Sequence, residues 1–443
     1  MLRKSQNATR SAVMNKRKRR LAGGVVAATV AATALVPLSQ AAAASPVTVD
    51  VVSNFTSNIA RGQVLNTLIK EFNAAHKGSI VVVSQPTSDW PSLQAKIRIE
   101  IGAGTPPDVF LYNFNPSDTT LEKYGASKLM NWTSYLNGDH AWKSRFTSQD
   151  LETLDIGGDT FAIPDDQSST AIFYRKDLFA KAGITAFPTT WAQMFTDAQK
   201  LNKTGVSAFV EMTADDAWLS MNQLSALDVS AGGTNAYYAT HLKAAPLLTA
   251  ATELKQLFSY APKDAVGANY AVGSSDFTDG RAAMVMDGPW AISSIVSDIH
   301  DACQNVGVAE APTNGNGVEK PGTIITDALT VWAARRTSDT ALQQAIVAWM
   351  KFYTSPSAAA LMATKGQFPL AVQTPATNSG SNCLLKQFVN LSNKAPAKVV
   401  NIERYMTPEA QAQLPSLVEA LATGGKSSPQ QFVSSLVQLN KTS

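Results

Sequence analysis

The sequence predicts an α/β protein made of more than one layered unit, on three observations. Strand-like and helix-like segments alternate from residue 47 to residue 113, and a second alternating block follows TAIFYRKDLF. The length of 443 residues amounts to roughly two to three domain equivalents at ~150 residues each.

Taking the elements in order, VTVDVVSNF (47–55) alternates and is rich in β-branched residues, as a strand requires. ARGQVLNTLIKEFNAAH (60–76) places Val64, Leu65, Leu68, Ile69 and Phe72 on one helical face. SIVVVSQ then reads as a second strand, SLQAKIRIEIGAG as a helix ending at Gly102 or Gly104, and PDVFLYN as a third strand. The β-α-β-α-β order implies parallel strands flanked by helices. Ligands of such sheets lie beyond the carboxyl ends of the strands, which singles out Asn54-Phe55 and Tyr112-Asn113-Phe114. In the second block, WAQMFTDAQKL reads as a helix and VSAFVEM as a strand, followed by largely helical sequence. ITDALTVWAAR is strand-like, LQQAIVAWMKFYT is an apolar-faced helix, and the last seventy or so residues read as helices with Pro and Gly stops.

The N-terminus has a different composition. Residues 1–44 carry eight Lys or Arg, ending in Lys16-Arg17-Lys18-Arg19-Arg20, and no acid; an apolar stretch and a run of alanines follow. A basic head, an apolar middle and small residues make a secretory signal peptide, with Met1 or Met14 as its start; an uncleaved anchor is the competing reading. No cysteine lies near the cleavage region to carry a lipid. Of 37 basic and 34 acidic residues, removal of those eight leaves 29 against 34, a balance of −5. The apparent basicity belongs to the export signal, and a nucleic-acid partner loses its main support. Cys303 and Cys383 remain, either a disulfide pair in an oxidising compartment or two buried thiols.

FTDGRAAMVMDGPWAIS (277–293) passes from a polar turn through apolar Ala282–Met286 into Asp287-Gly288-Pro289, and sets Trp290 at the start of a helix. Gly288 is expected to adopt backbone angles closed to other residues, and Pro289 suits a first helical turn, where no N–H is needed. Trp290 is then held at the mouth of a sheet, either as a core plug or as a stacking plate for a ligand.

Several chemistries fail on pattern. GGKSS (424–428) has the end of a phosphate loop, but Ala420 stands where its first glycine belongs, and it follows a helix. G-x-S-x-G and H-E-x-x-H do not occur, and His76, His140, His241 and His300 have no metal-ligand spacing. Asp165-Asp166 and Asp215-Asp216 could suggest a glycosidase's paired acids, but adjacency does not set two carboxylates across a bond. They read as solvated or helix-capping pairs, or as hydrogen-bonding groups for a polar ligand. No cofactor and no reaction is expected.

Four separated stretches together resemble the bacterial extracellular solute-binding proteins of ABC importers, the family that includes maltodextrin binders. These are GTPPDVFLYN (104–113), FAIPDDQSSTAIFYRKDLFAKAGITAFPTTWAQMFTDAQKL (161–201), FTDGRAAMVMDGPWAIS and GQFPLAVQ (366–373). The resemblance implies a type II-like periplasmic-binding-protein fold, two α/β lobes with the ligand in the cleft between them. Residues 45–168 and 323–370 would form the N-terminal lobe, and 169–322 and 371–443 the C-terminal lobe. The chain would cross near Asp165–Thr170, Gly322–Thr326 and Pro369–Gln373.

Trp290 matches the Gly-Pro-Trp tryptophan that stacks on a pyranose ring in sugar-binding members, which favours the stacking role. Asn113, Asp166 and Glu211 would hydrogen-bond the ligand, with Asp165, Gln167, Phe55 and Trp218 as further cleft candidates. Trp191, Trp332 and Trp349 read as core. The implied activity is extracytoplasmic capture of a sugar or short oligosaccharide by a monomer, with lobe closure and delivery to an ABC membrane permease. Other polar solutes, such as a glycerol phosphate ester or a polyamine, are alternatives within the fold; a secreted polysaccharide hydrolase or an adhesion protein lies outside it.

Overall fold

The computed structural model describes residues 45–87, 90–114, 119–166, 169–214, 217–234, 244–326, 330–372, 382–423 and 426–441. The strands are β1 (Val47–Ser53), β2 (Ile80–Pro86), β3 (Val109–Asn113), β4 (Asp155–Ile156), β5 (Asp159–Thr160), β6 (Ala162–Asp166) and β7 (Ala171–Arg175). They continue with β8 (Ser207–Phe209), β9 (Ala282–Asp287), β10 (Val306–Ala309), β11 (Ile324–Thr326), β12 (Thr330–Ala334) and β13 (Lys398–Val400).

One sheet has the order β2-β1-β3-β12-β6 and another the order β10-β7-β9-β8. In the first, β1 runs parallel to β2 and β3, and β12 runs antiparallel to β3 and β6. In the second, β8 is parallel to β9, and β7 is antiparallel to β9 and β10. The central strands are buried on both faces, which is why they read as apolar runs. Along β3, Val109 and Leu111 enter one core, while Phe110 and Tyr112 enter another on the opposite face. In β7, Ile172 and Phe173 likewise part to separate cores.

The helices follow from their spacing. Helix Ala60–Ala75 buries Val64, Leu65, Leu68, Ile69 and Phe72, the face its sequence predicts, at about 1.5–3 kcal/mol per fully buried side chain. Helix Trp191–Lys203 opens on Thr190, whose side chain accepts from the Gln193 N–H, and Trp191 is buried with its indole N–H donating to Ser230 Oγ at 3.2 Å. Trp332 and Trp349 are also in the core, each 1% exposed. Cys303 and Cys383 form a disulfide with a Cα–Cα distance of 5.8 Å, which resolves the choice the sequence leaves open.

Two expectations need correction. ITDALTVWAAR is not one strand: β11 ends at Thr326, and β12 begins at Thr330 in a different sheet. The C-terminal segment is not helix alone, because β13 pairs in parallel with β11. A three-residue strand carries too little periodicity to be seen; its pairing partner makes it a strand.

The chain leaves the five-stranded sheet at Asp166 and enters the four-stranded one at Ala171. Ser169 bridges to Thr326, and the Thr170 N–H donates to Ile325 O at 2.9 Å, so this segment runs antiparallel to β11. A third segment, after helix Pro356–Thr364, is fixed by the Ala371 N–H, which donates to Asp165 O at 2.7 Å.

Candidate functional site

The strand directions bring both sheet mouths to one place. In the five-stranded sheet, Thr330 is in register with Asn113 and with Asp166, so all three share the end where β1 gives way to Asn54-Phe55. In the four-stranded sheet, Asp287 at the end of β9 opposes Ala171 at the start of β7, and Val210-Glu211 leaves β8 at that same end. Five residue steps separate Asp166 from Ala171, so the mouths lie within about 18 Å along the chain.

Trp290 stands between them. It is half-buried and packs against the core that holds Phe55 and Trp332, and also against the core that holds Phe173 and Leu219. Pro289 begins a 3₁₀ turn, Pro289–Ala291, that leads into helix Ile292–Asp298, as the sequence predicts. Gly288 is there for a different reason from the one expected. Its φ of −102° is open to any residue, but a Cβ on it would lie 2.2 Å from the indole of Trp290. The glycine gives the ring room, not the backbone freedom.

Trp218 meets Trp290 edge-on, with ring centroids 5.7 Å apart, and Tyr270 lies 5.1 Å from Trp218. The Tyr270 hydroxyl donates to Asp287 Oδ2 at 3.2 Å, and the Gly288 N–H donates to Asp287 Oδ1 at 2.7 Å. Burial pushes the Asp287 carboxyl up to about 7, against the pull of those two donors and of Trp290. Burial likewise pushes Glu211 up to about 8, opposed by the donors Ser220 and Gln223. Glu211 is fully buried; Ser220 Oγ donates to its Oε2, and its Oε1 has no hydrogen-bond partner among the described residues.

The remaining predicted residues lie on the other sheet. Asn113 is half-buried, and its backbone N–H donates to Gln94 Oε1 at 2.9 Å. Phe55 is 4% exposed and meets Trp332 edge-on at 6.1 Å. Asp165 and Asp166 are buried, which overturns their reading as a solvated or helix-capping pair. Both pair with Arg61, and Asp165 Oδ1 also accepts from the Trp332 indole N–H at 2.8 Å and the Tyr353 hydroxyl at 2.9 Å. Gln167 and the pair Asp215-Asp216 lie outside the described residues.

Sequence reasoning missed Arg61, Tyr270 and Asp287. Asp287 sits inside the stretch that flagged Trp290. Arg61 carried a signal too, since a cation in the first turn of a helix opposes the helix dipole and calls for a partner. Tyr270 carried none. A surface depression of about 590 Å³ between Tyr135, Asp159 and Arg336 holds none of the predicted residues. It lies beside Arg336, beyond the Ala334 end of β12 and away from Thr330.

The sequence profile of the bacterial extracellular solute-binding proteins matches residues 56–360. The chain belongs to this family. A binding protein of Brucella abortus is 29% identical to this member over 136 residues, 31% of either chain. The sn-glycerol-3-phosphate-binding periplasmic protein of Agrobacterium fabrum is 25% identical over 189 residues, 40% of this chain and 41% of its own. The chain thus matches well under half the length of these curated relatives. Among solved structures, a chitin oligosaccharide binding protein superposes with a TM-score of 0.78 at 21% identity, over 89% of this chain and 98% of its own. That likeness extends the family's two-lobed α/β fold to nearly the whole chain. Among the described residues, no helix is long and apolar enough to cross a membrane.

Proposed function

We propose that this solute-binding protein captures a sugar or short oligosaccharide outside the cytoplasm and delivers it to an ABC membrane permease without catalysing a reaction. The observation that carries this reading is the position of Trp290, an indole packed against the cores of both sheets where their mouths meet. A sugar presents C–H faces to an aromatic plane and a rim of hydroxyls that need partners, since an unpaired buried hydroxyl costs several kcal/mol. Trp290 supplies the plane, with Trp218 and Tyr270 beside it. Asn113, Asp166 and Glu211 supply hydrogen bonds. The lobes are residues 45–168 with 323–370, and 169–322 with 371–443; residues 1–44 are the cleaved export signal, and the mature protein acts as a monomer. The solved chitin oligosaccharide binder of like fold supports the choice of ligand.

The test is thermal unfolding of residues 45–443 against mono- and oligosaccharides, glycerol phosphates and polyamines. A ligand that binds only the folded state adds about 2.7 kcal/mol at a hundred times its Kd. A shift with one sugar class is expected, and Trp290→Ala should weaken that binding more than tenfold without unfolding the protein. A shift with charged solutes alone would replace the sugar assignment. One observation favours a polyamine as the second reading: Asp287 and Glu211 have no ion-pair partner among the described residues, and an amine would supply one.

A further inference from the structure

Arg61 lies in the first turn of helix Ala60–Ala75, is 8% exposed, and is a poor choice there on helix electrostatics alone. The tertiary structure supplies its partners. The guanidinium is held between two rings, with its Cζ 4.0 Å from the Phe55 centroid and 3.7 Å from that of Phe368. Its edge meets Asp165 and, at 3.5 Å, Asp166. Burial would drag its pKa down, but Asp165, Tyr353 and Asp166 outweigh burial and hold it above the usual value.

The partners have a pattern. Asp165 and Asp166 end β6, where the chain first leaves the five-stranded sheet. Trp332, which donates to Asp165, lies in β12, just after the chain returns to that sheet. Phe368 precedes Ala371, whose N–H donates to the Asp165 carbonyl, in the third connecting segment. One guanidinium with its primary carboxylate therefore engages, among the described residues, the start of the first connection, the strand that follows the second and a ring that precedes the third.

We propose that Arg61 is a positioning residue for lobe closure, clasping the ends of the connections at Asp165-Asp166, Trp332 and Phe368 to the five-stranded sheet so that these ends move with that sheet. The idea rests on the binding reading for its purpose, since only a closing protein needs a defined hinge. A planar guanidinium suits the task, because two ring faces and two carboxylates can be engaged at once; an ammonium cannot match this.

The test is hydrogen exchange read by mass spectrometry on the ligand-free protein, comparing wild type with Arg61→Met and Arg61→Lys. In Arg61→Met, amides of the connecting segments, Thr170 and Ala371 included, should exchange at least tenfold faster, while those of β9 stay unchanged. Arg61→Lys should show a smaller rise at the same amides, and its pattern decides the matter if Arg61→Met does not fold. A rise confined to helix Ala60–Ala75 and β1, or no rise in the connecting segments, would reduce Arg61 to an ordinary core ion pair. Since no ligand is present, a solute panel that shifts nothing would sink the binding reading and leave this test standing.

Discussion

Two groups of buried carboxylates face the same junction and are handled in opposite ways. On the five-stranded side, Asp165 is counter-charged by Arg61 and takes further hydrogen bonds from Trp332 and Tyr353. On the four-stranded side, Asp287 and Glu211 are equally buried but receive only neutral donors, and burial lifts them to about 7 and about 8. The first arrangement, an ion pair braced by two further donors, suits a fixed joint. The second is lifted by burial toward neutrality and leaves Glu211 Oε1 without a partner among the described residues, the kind of perturbed group that clusters at functional sites.

The largest loss is expected when Asp165 is replaced. Asp165→Ala would leave a buried guanidinium with Asp166 at 3.5 Å as its remaining carboxylate and would strip an acceptor from two buried donors. Removal of one partner of a buried pair typically costs 3–5 kcal/mol. Urea unfolding should show a loss of about that size. A loss under about 1 kcal/mol would mean that the network is not a joint at all.

The other side is probed by pH. Unfolded Glu211 ionises above its ordinary 4.5, while the folded side chain keeps its proton up to about 8. Between those values the unfolded state binds fewer protons, so stability falls as pH rises and levels off above about 8. Asp287, Asp276 and Glu319, raised to about 7, 6 and 7, slope the same way. Glu211→Gln should remove its share, on the order of 2–4 kcal/mol across that window. Melting temperatures at pH 5 and pH 8 measure it; an unchanged difference between the two would show that Glu211 is already ionised when folded.

How far these features were legible in the sequence depends on the range of the interaction. Helix Ala60–Ala75 was readable because period and burial agree within it, and strands β1 to β3 because short β-branched or apolar runs are bounded by turns. The helical start at Trp290 was readable because Pro289 suits a first turn, whereas the reason for Gly288, room for the ring, was not. β13 was hidden because its partner β11 lies some seventy residues earlier. For Asp165 and Asp166 the solvated alternative could not be set aside from sequence, because Arg61, about a hundred residues away, is invisible to local pattern. Cys303 and Cys383 could be offered as a pair, but their distance belonged to the fold.

Gly288 gives the smallest effect and the sharpest test of how Trp290 is set. Its backbone already suits alanine, so Gly288→Ala changes only the space beside the indole, where the new Cβ would lie 2.2 Å from the ring. Such overpacking usually costs 1–3 kcal/mol, and ligand affinity should fall several-fold as the ring is displaced. If the glycine acts only by giving the ring its place, then Gly288→Ala in the Trp290→Ala background should cost almost nothing further in affinity, and calorimetry of the two single variants and the double would show that coupling. Independent, additive losses would mean instead that the backbone at Gly288 touches the ligand directly, and the stacking plane would have to be sought among Trp218 and Tyr270.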